Sequence, residues 1–388
     1  MKLEARIAQM ETWIVRVPLL QEWAASPEFG EHTGGDDRLI LRIEDSDGVE
    51  GWGECSLPIS TEVMKETLSR LIHKPLAELR PSFLELWPPG SQYWQQPVPP
   101  SPYAPNLANL QHRLRHPMQT VVEMALCDLT AKRAGVPLHN LFGGAWRDRV
   151  LTDYWMGRVT PERAQQCVKR GRQLRFHGVK LKTTLEDPNV ERLEAIRDAA
   201  PDWKVTVDPN GRFYRLDDAW PTIHAMDAVG NMAILEDPFP RFHLEQFAAL
   251  RPRIDARVVV HIDPPESLWS VLQSGAAGGL NIDSHTQGLF NWRMQAAVAA
   301  QANLPVWHGS GLDLGIATAA QLHLAATTPN CQLPGDQIGP WLRESHLLTS
   351  DFIVQDGCVL VPQRTGLGVE VDRAGLDRYA SSHQKLVT

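Results

Sequence analysis

Lys204-Val-Thr-Val-Asp208 is the stretch that decides the fold, because it is a short β-branched run that ends in a carboxylate. Such runs are typical of strands that are buried on both faces of a parallel sheet. Five further runs have the same form: Gly178–Lys182, Met232–Glu236, Arg257–Asp263, Gly279–Asp283 and Leu304–His308. Their ends lie 20 to 28 residues apart, which is the length of one repeated strand–helix unit.

The same spacing predicts the number of strands. With a first strand near residues 151–156 and a last strand near 331–336, the total is about eight, the number found in a (β/α) barrel. A doubly wound sheet is the alternative, but no glycine-rich dinucleotide fingerprint follows any early strand. We therefore predict an α/β fold built on a TIM-like barrel.

The segments on both sides of this region predict a second domain. Residues 11–18 and 38–44 alternate between apolar and polar side chains, as half-buried antiparallel strands do. The polar stretch 21–37 between them is too long for a hairpin and is a candidate lid, and the Cys55–Ser60 loop is a second candidate for substrate specificity. The predicted division is an N-terminal α+β domain over residues 1–117, a barrel over 118–350, and a C-terminal segment over 351–388 that returns to the N-terminal domain.

Composition excludes several classes of protein. The net charge of −8, without any Lys/Arg-rich block, argues against a nucleic-acid partner. The five cysteines are scattered singly, which argues against a disulfide framework and a thiolate metal site. No apolar run reaches about 18 residues and the N-terminus lacks a signal pattern, so we expect no membrane segment and a cytoplasmic location.

Three consecutive strand ends carry carboxylates, Asp208, Glu236 and Asp263. The carboxyl ends of barrel strands form the floor of the active site, so these side chains are expected to surround one point. Three carboxylates in one place would repel one another without a cation, and their oxygens suit a hard divalent ion. The alternative is that each acid caps the helix that follows it. Asn210, two residues after Asp208, is a candidate for holding a ligand in place.

Lys180 and Lys182 lie on the preceding strand and, being two residues apart, are predicted to point to the same side. Two neighbouring ammonium groups disfavour each other's charged form, which can make a lysine a usable base. A solvent-facing charged pair is the alternative interpretation. It fits poorly with a strand that is buried on both faces.

The next strand ends suggest an acid/base group opposite the lysines. A strand ends at Asp283 and the following one at His308, and an aspartate bonded to one imidazole nitrogen leaves the other free for proton transfer. The alternative is a structural histidine bonded to a backbone carbonyl. Asp313 could bond a substrate oxygen or cap the helix after the seventh strand, whereas His261, in mid-strand, is expected to be a core residue.

Taken together, these motifs resemble the enolase superfamily and, within it, the mandelate racemase / muconate lactonizing enzyme family. The resemblance rests on residue patterns spread along most of the chain: Glu123-Met-Ala-Leu-Cys-Asp-Leu129, Gly135-Val-Pro137, Leu141-Phe-Gly-Gly144, Val179-Lys-Leu-Lys182, Val207-Asp-Pro-Asn-Gly211, Leu235-Glu-Asp-Pro238 and Gly366-Leu-Gly-Val-Glu370. It implies a modified (β/α)₇β barrel with an α+β capping domain formed from the N-terminus and the C-terminal tail.

The resemblance also implies roles for individual residues. It places Mg²⁺ on Asp208, Glu236 and Asp263, with Lys182 as the base and Lys180 as its electrostatic helper. Two prolines follow Asp263 here, so Glu266 is an alternative third ligand. The muconate-type branch carries a lysine where Asp283 stands, which disfavours a site with lysines on both sides.

The expected reaction is removal of the proton α to a carboxylate, through an enediolate, by an enzyme that acts on a small carboxylate and assembles as a homo-oligomer. A group on the opposite face would then return a proton, as in a racemase or epimerase, or protonate a hydroxyl leaving group, as in a dehydratase. Cycloisomerisation of an unsaturated diacid and a non-catalytic metal-binding barrel remain as alternatives.

Overall fold

The computed structural model describes residues 5–20, 36–56, 61–79, 118–262, 267–285 and 287–387 of the chain. Two candidate ligands, Asp263 and Glu266, lie outside the described residues, as do most of the candidate lid and residues 57–60 of the second specificity loop. Among the helices within the described ranges, none is long and apolar enough to cross a membrane.

The capping domain is a four-stranded antiparallel sheet that uses both ends of the chain. Its strands are β1 (Ile7–Arg16), β2 (Asp37–Asp45), β3 (Glu50–Ser56) and the C-terminal β14 (Ala380–Val387), in the order β14-β1-β2-β3. Helix α1 (Thr61–Ser69) follows β3, and helix α2 (Gln119–Ala134) leads toward the barrel. The pairing of β14 with β1 brings the tail back to the first strand, as the fold class requires.

Helix α2 packs directly on β3 because that strand has glycine, which lacks a side chain, at two positions. A Cβ on Gly51 would lie 2.0 Å from the carbonyl oxygen of Ala125, and one on Gly53 would lie 2.1 Å from that of Val121. Asp128 of α2 then accepts hydrogen bonds from the backbone N–H of Trp52 (3.0 Å) and from a residue of the tail. This contact joins the cap, the helix and the C-terminal segment.

The barrel begins after a short strand, β4 (Arg149–Leu151), that pairs with the tail. Its seven parallel strands follow in sequence order: β5 (Tyr154–Met156), β6 (Gly178–Lys182), β7 (Lys204–Asp208), β8 (Met232–Glu236), β9 (Arg257–Ile262), β10 (Gly279–Ile282) and β11 (Val306–His308). Parallel bridges from Val306 to Cys331 and from Thr152 to Gly335 place an eighth extended segment between the two edges of the sheet. The predicted fold class is confirmed.

Helices alternate with these strands on the outside of the barrel: α3 (Pro161–Gln173), α4 (Asn189–Ala199), α5 (Leu216–Ala228), α6 (Leu244–Leu250), α7 (Ser267–Ser274), α8 (Leu289–Gln301), α9 (Gly315–Ala326) and α10 (Gly339–Leu342). The tail contributes β12 (Val354–Gln355), β13 (Cys358–Leu360) and α11 (Arg373–Tyr379), and short 3₁₀ turns span Leu76–Glu78, Leu138–Phe142 and Arg251–Arg253. The main core lies between strands and helices, where apolar faces of both are buried.

Strand alternation decides which side chains face the interior of the barrel. Trp307 packs inside with Ile234 and Val259, and its parallel neighbour Asn281 also points inward. Successive residues of a strand point to opposite faces, so Ile282 and His308, which are paired with each other, point outward toward the helices. A shift of one residue along a strand therefore determines whether a predicted site residue points into the barrel or toward the helices.

Candidate active site

The four inward-facing charged residues of β6, β7 and β8 come together at the mouth of the barrel. The ammonium nitrogen of Lys180 lies 2.6 Å from Oε2 of Glu236 and 3.1 Å from Oδ2 of Asp208. Lys182, one layer nearer the mouth, also binds Asp208 and donates to Oδ1 of Asn210 at 2.8 Å. The structure therefore brings Lys180, Lys182, Asp208 and Glu236 to one point, with Asn210 beside them.

Two residues of this group were missed by the sequence analysis. Asp336 ends the eighth extended segment, and its Oδ2 accepts a hydrogen bond from Lys180 at 2.9 Å. Asn281 reaches across from β10 and donates to Oε1 of Glu236 at 2.6 Å. Asp336 could have been found, because it closes the predicted strand near 331–336, whereas Asn281 carries no signal of its own. We call Lys180, Lys182, Asp208, Glu236 and Asp336 the lysine–carboxylate cluster.

Burial and crowding perturb the charges of this cluster. Burial, together with the neighbouring Asp208 carboxylate, raises the pKa of Glu236 to about 8. Burial acts against the charged form of Asp208 as well, but the two lysines outweigh it and lower the pKa of that carboxyl. For Lys180, burial is outweighed by Asp336, Glu236 and Asp208, so its pKa is raised well above the usual value. The prediction that a neighbouring ammonium group disfavours the charged form of the lysine is therefore wrong for Lys180, because three carboxylates surround it.

The donor set of the cluster fits a divalent cation. The Asp208 and Glu236 carboxylates are almost fully buried and converge on one side-chain cation, Lys180. Oε2 of Glu236 faces that ammonium but accepts no well-directed hydrogen bond from the residues that the structure describes. Ligand atoms of Glu236, Asp237 and His261 also lie within 4.8 Å of one another. Carboxylate oxygens held in this way are suited to Mg²⁺ or a similar ion.

His308 does not pair with Asp283, so the predicted dyad is wrong in its histidine. The ring of His308 points outward, stacks on Trp292 of α8 at 4.9 Å, and is 1% exposed. Its Nδ1 donates to the carbonyl of Gly309 at 2.6 Å and its Nε2 accepts from the hydroxyl of Ser284 at 3.1 Å. Burial lowers the pKa of His308 to about 4, which keeps the ring neutral. This is the structural alternative, a histidine bonded to a backbone carbonyl.

The inward-facing histidine is His261, which was expected to be a core residue. Its Nε2 bonds Oδ2 of Asp283 at 2.8 Å and its Nδ1 lies 3.1 Å from Nη2 of Arg241. A guanidinium only donates, so Nδ1 is the acceptor and Nε2 carries the proton that is donated to Asp283. The side chains of His261 and Asp283 are 19% and 15% exposed, which places this histidine–aspartate pair at the mouth. Burial and the neighbouring Arg241 lower the pKa of His261.

A chain of paired charges continues from Asp283 to the capping domain. His285 lies between two carboxylates, with Nδ1 3.2 Å from Oδ1 of Asp283 and Nε2 2.8 Å from Oδ2 of Asp313. Oδ1 of Asp313 accepts from Nη1 of Arg38 on β2 at 2.6 Å. We call Arg38, Asp313, His285, Asp283 and His261 the His285 chain. His285 was missed because it lies in a loop after β10, where periodicity gives no information.

Asp313 does not cap the helix that follows it, which was one of its two predicted roles. Its side chain is fully buried and, besides Arg38 and His285, accepts from Gln321 at 2.7 Å, so it is enclosed within the protein. The N-terminus of α9 is instead capped from the other domain: Glu54 of β3 accepts from the backbone N–H groups of Leu314 (2.6 Å) and Ala317 (2.9 Å). Asp313 thus links the two domains.

Comparison with known proteins agrees with this architecture. A family model described as "Enolase C-terminal domain-like" matches residues 160–375. The o-succinylbenzoate synthase of Geobacillus kaustophilus is 26% identical over 351 residues, which covers 88% of each chain. Muconate cycloisomerase 1 of Rhodococcus opacus is 28% identical over 266 residues, which covers 66% of this chain and 69% of the relative.

Solved structures show the same fold over nearly the whole chain. The crystal structure of N-succinyl Arg/Lys racemase from Bacillus cereus superposes with a TM-score of 0.78 at 16% identity, covering 98% of this chain and all of that one. The protein belongs to the enolase superfamily, in the mandelate racemase / muconate lactonizing enzyme family. It is an enzyme of the general type that this superfamily comprises, whose members include lyases and isomerases.

Proposed function

We propose that this enzyme removes the proton α to the carboxylate of a small-molecule substrate, with Lys182 as the base. The observation that carries the proposal is the position of Lys182 beside Asp208, in the same inward-facing column as Lys180. Lys182 keeps 16% of its side chain exposed, whereas Lys180 is enclosed by three carboxylates. Lys182 is therefore the lysine that can reach a substrate, whereas Lys180 balances the negative charge of the carboxylates around it.

Asp208 and Glu236 would hold the divalent cation, proposed to be Mg²⁺, with Asp263 as the expected third ligand. When bound, this cation supplies a Lewis acid for the negative charge that develops on the substrate carboxylate as its α-proton leaves. Asn281 holds one oxygen of Glu236 and so fixes the direction of the other. The backbone N–H of Asn210 does the same for Asp208 at 2.9 Å.

The group on the opposite side of the carboxylates is proposed to be His261 paired with Asp283, in place of His308. The hydrogen bond from Nε2 of His261 to Asp283 sets the tautomer, which leaves Nδ1 as the atom that can accept a proton and later return it. Arg241 donates to that atom in the structure, so it must turn away before Nδ1 can take a proton. Lys182 and His261 would then serve opposite faces of the substrate.

Two acid/base groups favour a racemase or epimerase, or a dehydratase of a hydroxy acid or acid sugar. Both outcomes need His261 to carry a second proton, which Nδ1 takes from water once Arg241 has turned away. In the first case His261 gives that proton to the carbon, and in the second it gives it to the hydroxyl that leaves from the β-carbon, while Lys182 keeps the proton that it removed. Cycloisomerisation is the second candidate, because muconate cycloisomerase 1 is among the relatives. It needs only one acid/base group, and the paired His261 and Asp283 would have no role in it.

The test is ¹H–²H exchange at the α-carbon in D₂O with Mg²⁺, over libraries of acid sugars and N-acyl amino acids. The wild type should exchange and turn over a subset of them, whereas Lys182→Met should lose exchange because the base is removed. Lys204→Met is the matched control, since Lys204 is an exposed lysine at the opposite end of the adjacent strand. A Lys182→Met protein that exchanges at the wild-type rate would exclude Lys182 as the base.

A further inference from the structure

We infer that His285 is a positioning residue: a permanently charged imidazolium that connects the capping domain to Asp283 and thereby orients His261. The inference deepens the proposed function and rests on it, because orientation of His261 affects catalysis only if His261 takes part. The charge bridge itself can be tested without any substrate.

The two carboxylates beside its ring favour the charged form of His285. Both ring nitrogens face carboxylate oxygens, Asp283 on one side at 3.2 Å and Asp313 on the other at 2.8 Å. Nε2 makes a hydrogen bond to Asp313, and Nδ1 lies at ion-pair distance from Asp283, so the ring is placed between two negative charges that favour its charged form. Asp283 also accepts from His261 and from the backbone N–H of His285, which is the behaviour of an ionised carboxylate.

Asp313 has the same character on the other side of the ring. It accepts hydrogen bonds from Arg38, Gln321 and the backbone N–H of Gly311 as well as from His285. Four donors on one buried carboxylate favour its charged form. A proton shared between His285 and either aspartate therefore stays on the imidazole.

Charged groups face His285 from each element packed around it. The cap contributes Arg38, which is paired with Asp313, and Glu54 lies beside that pair; the loop after β10 contributes Asp283 and the loop after β11 contributes Asp313. Burial lowers the pKa of the two other histidines near this chain, His261 and His308. Burial acts against the charged form of His285, but Asp313 and Asp283 outweigh it and raise its pKa well above the usual value. The surroundings therefore agree with the geometry.

This bridge carries a positional constraint from one domain to the other. Arg38 is anchored on β2, where it also donates to the hydroxyl of Ser56 at 3.1 Å and to the carbonyl of Gly311. From there the contacts run through Asp313 and His285 to Oδ1 of Asp283, and the other oxygen of Asp283 holds His261. The direction in which the His261 ring points thus depends on how the cap is seated.

His285 is a positioning residue and not a catalytic one, because each of its ring nitrogens already faces a carboxylate of the protein. Neither nitrogen can donate to a substrate without giving up one of the two carboxylates. Its loss should therefore reduce the rate of proton transfer while leaving substrate binding largely intact. In kinetic terms, kcat should fall and KM should change little.

The first experiment is ¹⁵N NMR of the whole protein with labelled histidine, in which His285→Gln assigns the signal. Both ring nitrogens of His285 should keep the shifts of an imidazolium from about pH 6 to about pH 9. A ring that titrates near the ordinary histidine value would overturn the inference. Because no substrate is involved, absence of turnover in the wild type would count against the proposed function alone.

The second experiment is kinetic and uses a substrate found in the exchange screen. His285→Gln and Asp313→Asn should each lower kcat about 10- to 100-fold, with little change in KM, and the double variant should be no worse than the poorer single one. His346→Gln is the matched control, because the ring of His346 pairs with the exposed Asp351 and with no member of the His285 chain. Folded variants with unchanged kcat, or additive losses, would contradict the coupling.

Discussion

The lysine–carboxylate cluster and the His285 chain are both buried ionic networks at the barrel mouth, but they differ in how the negative charges are satisfied. In the cluster, Asp208 and Glu236 face the ammonium group of Lys180, Asp208 also binds Lys182, and Oε2 of Glu236 accepts no well-directed hydrogen bond from a described residue. In the chain, Asp283 and Asp313 each accept from several fixed donors. The cluster can exchange a lysine ammonium group for a bound metal ion. In the His285 chain the negative charges are already paired, and the chain holds its side chains in fixed positions.

This difference shows how one site can combine affinity for a cation with rigid placement of a proton-transfer group. Ionised carboxylates whose partners are lysine ammonium groups can exchange those contacts for a bound divalent cation, because a metal ion requires deprotonated ligands. A fully paired network resists rearrangement, because removing any partner leaves a buried charge without compensation. Substitutions in the two networks should therefore have different consequences.

The largest effect is expected in the cluster. Asp208→Asn should weaken Mg²⁺ binding by about 100-fold or more, because it replaces an ionic oxygen ligand with a neutral one. Isothermal titration calorimetry with Mg²⁺ measures this directly. Glu123→Gln, a change at a buried carboxylate on α2, is the control and should bind Mg²⁺ like the wild type. Equal affinities for both variants would show that the cation site lies elsewhere.

The next effect separates the two histidines. His261→Asn should reduce α-proton exchange by about 100-fold, within the range that a general acid/base group contributes, whereas His308→Asn should reduce it only a few-fold. The reason is that His261 faces the mouth and His308 faces Trp292 on the outside of the barrel. Exchange rates in D₂O for the two folded variants decide the matter. The opposite order of effects would restore His308 to the site.

A smaller effect is expected from the residue that supports the ligand Glu236. Asn281→Leu keeps the size of the side chain but removes the hydrogen bond to Oε1, so Mg²⁺ affinity should fall about 10- to 100-fold, as for other supports of metal ligands. Asn291→Leu, on the outer helix α8, serves as the control. Unchanged affinity in Asn281→Leu would mean that Glu236 is oriented without this amide.

The last effect concerns stability, and not catalysis or metal binding, at the contact between the domains. Burial and the nearby Asp313 raise the pKa of Glu54 to about 7 from 4.5, so the folded protein binds more protons than the unfolded chain in that interval. The free energy of unfolding should therefore fall as pH rises from about 4.5 to about 7, by on the order of 3 kcal/mol for this group, and then level off.

Glu54→Gln should remove that slope, because glutamine does not titrate. Chemical unfolding of wild type and variant at several pH values gives the difference between the two curves. Subtracting them cancels the contribution of the other buried carboxyls, such as Asp153, that both proteins share. Parallel curves for the two proteins would contradict the raised pKa of Glu54.

The sequence predicted the fold and the proximity of four charged residues for a clear physical reason. The spacing of the strands and the charged residues at their ends are local properties of the sequence. They therefore predict that Lys180, Lys182, Asp208 and Glu236 lie close together. The error at His308 came from assuming that the last residue of a strand points inward. The register of β10 with β11 pairs Trp307 with Asn281 inside the barrel and turns His308 outward.

The other missed residues depend on contacts between distant parts of the chain. Arg38 and Asp313 are separated by 275 positions, and no periodicity connects them. His285 acquires its two carboxylate partners only when the loops after β10 and β11 are folded side by side. Such pairings are properties of the assembled barrel and cap, which is why only the structure reveals them.

The two glycines of β3 limit how far the capping sheet and helix α2 can move relative to each other. At Gly51 and Gly53 the strand meets the helix backbone to backbone, so no flexible side chain can absorb an error in their spacing. The same strand continues to Glu54, which holds the start of α9 on the barrel. Adding even one methyl group at Gly53 would push the sheet away from the helix and shift the position of Arg38. A change at this distant contact between strand and helix would therefore alter the orientation of the side chains at the reaction centre.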